Sequence, residues 1–146
     1  AFGEAMQPGF VEYQKTVVEN ARSLAEGLQK GGLRLVSGGT DNHLLLVDLN
    51  PIDVTGQQAE DALGRVCITV NKNAIPFDTR PPRVTSGLRL GTPCVASRGF
   101  GKEDMQQVAS FIVRVLTNMG DVTVEREVRE QVLEMTSRFP VPGITE

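Results

Sequence analysis

The chain has no tryptophan, a single tyrosine, a single histidine and two cysteines. Each scarcity removes a class of reading. His43 has no second histidine for HxH or HExxH spacing and no Cys/His cluster near it, so a zinc site built from this chain alone is not expected. Cys67 and Cys94 lack CxxC spacing and read as two buried thiols rather than a disulfide, a metal pair or a nucleophile. Long apolar runs are missing too. The strongest, Leu44 to Val47, is far too short to span a bilayer, so no membrane partner is expected. Positive charge is not in excess: 15 Lys and Arg against 18 Asp and Glu leave a net charge of -3. The basic residues are scattered, with Arg80 and Arg83 making at most a small cluster, and no nucleic-acid footprint follows. No signal-peptide or lipidation pattern is visible, which points the expectation toward the cytoplasm.

Two catalytic signatures are also missing. Asp41-Asn42-His43 has no G-x-S-x-G nucleophile elbow to serve, and reads as a polar junction before a strand. Ser37-Gly38-Gly39-Thr40 is too short for a P-loop and lacks its Gly-Lys-Ser/Thr ending.

What remains is an ordinary globular composition, 40% apolar and 23% charged over 146 residues, enough for one domain with one core. The first residues, AFGEAM, already read as helix, and the chain is expected to be a piece of something longer. Phe10 to Lys30 reads as an amphipathic helix, with Phe10, Val17, Ala21, Leu24 and Leu28 on one broad face and Gly31-Gly32 as its stop. Leu33 to Val36 is a short strand candidate and Leu44 to Leu49 a buried strand ended by Asn50-Pro51. Thr55, with Gln58 three residues on, is a capping-box start for a helix to Leu63. Cys67 to Val70 is a further strand candidate. Asn71 to Pro82, with Pro76, Pro81 and Pro82, reads as an ordered excursion of the kind that often carries function. Helices over Lys102 to Met119 and Val124 to Arg138 close the chain. This order predicts a small two-layer α/β (α+β) domain, its sheet covered by helices on one side.

Chemistry concentrates in Thr85 to Pro93, TSGLRLGTP. As a strand, Leu88 and Leu90 enter the core while Arg89 stands on the opposite face, flanked by Gly87 and Gly91, which leave room for a ligand to approach. Arg89 is then either an exposed arginine in a salt bridge or an anion site, and its planar fork suits a carboxylate. Asn71-Lys72-Asn73 offers amide edges to a ligand or, alternatively, forms the turn before Pro76. Lys72 shows none of the surroundings of a Schiff-base lysine. Arg98 braces the Arg89 strand, bonds a loop or faces water.

Taken together, Ser37-Gly38-Gly39-Thr40-Asp41-Asn42-His43 followed by Leu44 to Leu49, then Thr69-Val70-Asn71-Lys72-Asn73-Ala74-Ile75-Pro76, then Thr85 to Pro93, resemble the serine hydroxymethyltransferase family in order and spacing. Gly56 to Leu63 and Arg98-Gly99-Phe100 fit as well, so the resemblance runs over essentially the whole chain. It implies the C-terminal small domain of a pyridoxal-phosphate enzyme of fold type I, with a short, mostly antiparallel sheet and helices on one side. Residues 1–9 then correspond to the end of an interdomain linker helix and 10–146 to the small domain. The family interconverts serine plus tetrahydrofolate with glycine plus 5,10-methylenetetrahydrofolate. The resemblance implies that Arg89 binds the substrate α-carboxylate and that Asn73 bonds the pterin ring of the folate. It also implies that Arg98 belongs to the active-site region, with a less defined role, and it gives His43 no catalytic part. The family's cofactor-anchoring lysine segment, its ring-stacking histidine and its pyridine-pairing aspartate have no counterpart in this sequence, so no cofactor-binding residue is expected here. The implied partners are the large domain of the same enzyme, serine or glycine, and folate, in a homo-oligomer at full length. The isolated chain is expected to be inactive. The competing expectation is a standalone, non-catalytic binding module derived from that domain.

Overall fold

A computed structural model describes residues 1–144. A short helix, α1 (Phe2–Ala5), leads into α2 (Pro8–Lys30). Pro8 occupies the first turn of α2, where its missing N–H and fixed φ are no handicap. That is why the helix starts two residues before Phe10. The stop at the other end is glycine chemistry: Gly32 adopts φ 86°, and the Leu33 N–H reaches back to Leu28 O at 3.0 Å.

The chain then lays down β1 (Arg34–Leu35), β2 (Leu44–Asp48), α3 (Gly56–Arg65), β3 (Asn71–Asn73), β4 (Gly87–Gly91), α4 (Pro93–Ser97), α5 (Lys102–Thr117) and α6 (Val122–Ser137). The four strands form one sheet in the order β1-β2-β4-β3, each pair antiparallel. The predicted class is therefore the observed one: a small α+β domain with a short antiparallel sheet and helices packed on one side.

Register determines what each face carries. Leu45 lies opposite Leu90 and Val47 opposite Leu88, and all four side chains are buried under the helices. Together with Leu24 and Leu28 of α2, Leu63 of α3 and Ile112 and Leu116 of α5 they form one continuous core. Full burial of a leucine or valine side chain of this kind is worth about 1.5–3 kcal/mol. Polar stitches fix α2 against the segment before α5. Asn20 Nδ2 donates to Phe100 O at 2.7 Å, and Ser23 Oγ to Lys102 O at 2.7 Å. The Thr92 hydroxyl donates to Val17 O at 2.7 Å.

Three expectations change. The third strand is Asn71–Asn73 rather than Cys67 to Val70, because Cys67 turns with φ 64° and the Ile68 N–H folds back onto Leu63 O at 2.9 Å. Asn71-Lys72-Asn73 is accordingly an edge strand and not a turn. Asparagine has little intrinsic preference for strands, and tertiary pairing with β4 overrides it. The last helix begins at Val122, since the Asp121 carboxylate accepts from the N–H groups of Thr123 and Val124 and caps it there. Finally, Cys67 and Cys94 are exposed, not buried. Both lie in turn or short-helix segments at the rim of the domain, where packing does not draw them inward.

Candidate functional site

Because α2, α3 and α5 cover only one face of the sheet, the alternate residues of β2, β3 and β4 are left on the open face. Arg89 lies there, exposed, between Leu46 of β2 and Asn71 of β3 in register. Asn73 is two residues along β3 and so shares that face with Asn71, while Lys72 points to the helix side. A cleft of about 290 Å³ opens over this surface. Its walls bring Arg89 and Asn73 together with the loop Ser37 to Asn42.

The loop is tied down locally. The Thr40 hydroxyl donates to Leu44 O at 2.6 Å, and Asn42 Oδ1 accepts from the Leu44 N–H at 2.9 Å. Short polar side chains thus take the backbone groups that no strand neighbour satisfies.

Arg89 makes one hydrogen bond, from Nε to Asn71 Oδ1 at 3.1 Å. Among the described residues no carboxylate lies within 4.0 Å of its guanidinium, and every ion pair found involves other groups. Its two terminal nitrogens are left to whatever enters the cleft. Asn73 donates through Nδ2 to Ala74 O at 2.7 Å, which orients its amide and leaves Oδ1 as the acceptor facing outward from that bond.

Only part of the expected room around Arg89 is open. Beside Gly87 the space is already filled: a Cβ there would meet Ile75 Cγ2 at 2.5 Å, Val47 O at 2.8 Å and Asn73 O at 2.9 Å. Gly87 serves the close approach of the chain to itself. A Cβ on Gly91 would meet His43 O at 3.6 Å and Pro93 Cδ at 3.8 Å, ordinary contact, so that side of Arg89 is less crowded than the Gly87 side.

The remaining candidates lie elsewhere. Lys72 Nζ is 2.7 Å from Glu60 Oε2 and its backbone N–H donates to Glu60 Oε1 at 3.0 Å, which ties β3 to α3. The ammonium of Lys72, followed by its N–H, holds the Glu60 carboxyl below its usual range. This lysine faces away from the Arg89 cleft and is committed to a partner, so it does not fit a cofactor-anchoring role. Arg98 lines a separate, mostly apolar cleft of about 380 Å³ with Cys67, Cys94 and Phe100. Its Nε donates to Phe139 O at 2.8 Å and its Nη2 to Thr136 O at 3.2 Å, closing the end of α6. The guanidinium also stacks 5.7 Å from the Phe100 ring centre. His43 contributes its backbone carbonyl, which accepts from the Thr92 N–H at 3.1 Å. Among the described residues no group of three or more His, Cys, Asp or Glu side chains is placed to hold a metal ion. No described helix is long and apolar enough to cross a membrane.

Sequence reasoning missed two residues that shape this site. Asn71 was grouped with Asn73 as an alternative ligand edge, yet its strand position opposite Arg89 makes it the partner of that arginine. Asp78 was not singled out at all. Its carboxylate accepts from Ile75 N–H at 3.2 Å, Arg80 N–H at 3.0 Å and both polar groups of Ser86. An aspartate two residues after a proline, in a loop returning to a strand, was the available signal.

Comparison with known proteins gives the family. The serine hydroxymethyltransferase family profile matches residues 1–112. The chain is 52% identical over 145 residues to the serine hydroxymethyltransferase of Dehalococcoides mccartyi, covering 99% of this chain and 35% of that relative. The chain thus spans about a third of the length of the relative it matches. With matched residues running through the loop, both outer strands and the Arg89 strand, the chain belongs to the serine hydroxymethyltransferase family.

Proposed function

We propose that this chain is the C-terminal small domain of a pyridoxal-phosphate-dependent serine hydroxymethyltransferase, in which Arg89 holds the α-carboxylate of serine or glycine. The observation that carries the reading is the state of Arg89: exposed on the open sheet face, tethered at Nε, and with no carboxylate of its own within reach among the described residues. An arginine held in an ion pair on this sheet would have its charge already spent. This one has a neutral amide and a cleft.

Within the reading, the cofactor supplies the electron sink and is held by the large domain, since the residues here do not fit as its holder. What this chain does is bind and orient. Arg89 fixes the substrate's carboxylate by a charge-assisted, two-pronged contact, and such positioning contributes to rate as well as affinity. Asn73 offers its amide to the pterin edge of tetrahydrofolate, supported by its place in the same cleft. Arg98 acts at a distance, by closing the end of α6 beside the apolar cleft. Residues 1–9 connect to the large domain, and the exposed Phe2 and Met6 are the side chains available for that contact. The full-length enzyme is a homo-oligomer in this reading.

Hydroxymethyl transfer from serine to tetrahydrofolate, assayed on the full-length enzyme and on the 146-residue chain, tests it. Activity is expected from the first and none from the second. A full-length enzyme that binds neither serine nor glycine overturns the reading.

A further inference from the structure

We propose that Asn71 is a positioning residue that locks the Arg89 guanidinium so that its terminal Nη1–Nη2 edge, and not its Nε–Nη2 edge, receives the ligand carboxylate. This rests on the carboxylate-clamp reading of Arg89 and deepens it.

A guanidinium presents two edges able to grip both oxygens of a carboxylate: Nε with Nη2, and Nη1 with Nη2. Asn71 Oδ1 occupies Nε at 3.1 Å and closes the first edge. No described side chain or carbonyl takes a hydrogen bond from Nη1 or Nη2, so the second edge stays open.

Asn71 is itself held. Its Nδ2 donates to Lys72 O at 3.1 Å, which sets which end of the amide faces Arg89. Lys72 is fastened from the other side of the sheet by the backbone and side-chain contacts to Glu60 of α3. A chain of contacts therefore runs from α3 through β3 to the guanidinium: Glu60, Lys72, Asn71, Arg89. An exposed arginine without this tether would give up more rotamer freedom when it bound a ligand.

The neutrality of Asn71 matters as much as its geometry. An aspartate would have nearly the same shape and would bond Nε more strongly, but it would cancel the charge that attracts the ligand and repel the incoming carboxylate. The amide holds the arginine without competing for it.

The test uses the full-length enzyme with Asn71→Asp, Asn71→Ala and Arg89→Lys, reading serine KM and kcat, the glycine dissociation constant and the melting temperature. Asn71→Asp is expected to raise serine KM and the glycine dissociation constant about tenfold or more, with kcat and melting changed little. Asn71→Ala is expected to raise both by a smaller factor, about threefold, since only the tether is lost. If Asn71→Asp does not fold, the Asn71→Ala result alone decides: a rise in KM with kcat held supports the proposal, and no rise overturns it. Asn71→Asp within about twofold of wild type, while Arg89→Lys is severely impaired, overturns the role of Asn71 and leaves the clamp standing. A silent Arg89→Lys overturns both.

Discussion

Asp78 and Ser86 are bonded twice: the Ser86 hydroxyl donates to Asp78 Oδ1 at 2.6 Å and the Ser86 N–H donates to Oδ2 at 2.9 Å. With the N–H groups of Ile75 and Arg80 on the same carboxylate, one side chain closes the loop that leaves β3 after Asn73 and re-enters the sheet two residues before Arg89. The loop tip carries Phe77, fully exposed and at φ 60°, a conformation a bulky residue rarely adopts unless its surroundings impose it.

Asp78 should therefore be a stability residue with a definite pH signature. The Ser86 hydroxyl is the largest cause that lowers its pKa, from 3.8 to about 2; burial opposes, and the N–H groups of Arg80, Ser86 and Ile75 add to the lowering. A carboxyl with a depressed folded pKa stabilises fully above its unfolded value and loses that contribution as pH falls through the folded one. Asp78→Asn should cost about 1–3 kcal/mol near neutrality, because acceptors for buried donors are lost. Urea denaturation of both proteins should show the gap narrowing between about pH 4 and pH 2. A gap that stays constant into acid would contradict the assignment.

Glycine positions separate packing from propensity. A Cβ on Gly56 would collide with Thr85 Oγ1 and come within 2.7 Å of Gly87 O and 3.0 Å of Lys72 Cβ, pushing α3 off the two strands that carry the site. Gly56→Ala should destabilise the fold by about 1–3 kcal/mol. Gly64, in the same helix, meets nothing within 4 Å. Gly64→Ala should stabilise by about 0.5–1 kcal/mol, by helix propensity alone. Denaturant midpoints check both signs.

Arg89 and Arg98, which line separate clefts, should differ in their effect on stability. Arg98→Ala removes the donors to Phe139 O and Thr136 O at the end of α6 and should cost about 1–2 kcal/mol. Arg89→Ala, with one exposed hydrogen bond to lose, should stay within about 0.5 kcal/mol of wild type. Thermal melts of the pair, run side by side, measure this directly.

Both thiols should react in the folded protein. Cys67 and Cys94 are exposed at the rim of the same cleft, and a colorimetric thiol reagent is expected to modify both without denaturant. Reaction only after unfolding would contradict their placement.

Much of this was legible in the sequence because it was local. Thr55 and Gln58 form the capping box their spacing announced, with Gln58 N–H donating to Thr55 Oγ1 at 3.1 Å and Gln58 Oε1 accepting from the Thr55 N–H at 2.9 Å. The alternation in Gly-Leu-Arg-Leu-Gly put Leu88 and Leu90 inside and Arg89 outside, as period-two geometry requires. The illegible parts were those set by a distant partner. Nothing near Asn71 in the chain says that it faces Arg89; that follows from the pairing of β3 with β4 across the loop. Arg98 reads three ways locally because its partners, Thr136 and Phe139, lie on the last helix and just beyond it. The cysteines were misread because an average preference for burial says little about residues in turns at a rim.

The most direct test of the account is a titration of glycine into the full-length enzyme, wild type against Arg89→Lys. Lysine keeps the charge and loses the planar fork. The account predicts that affinity for glycine falls about a hundredfold or more, while the melting temperature of the unliganded protein is unchanged. Equal affinity in the two proteins would contradict it, and Arg89 would be an ordinary surface arginine facing an empty cleft.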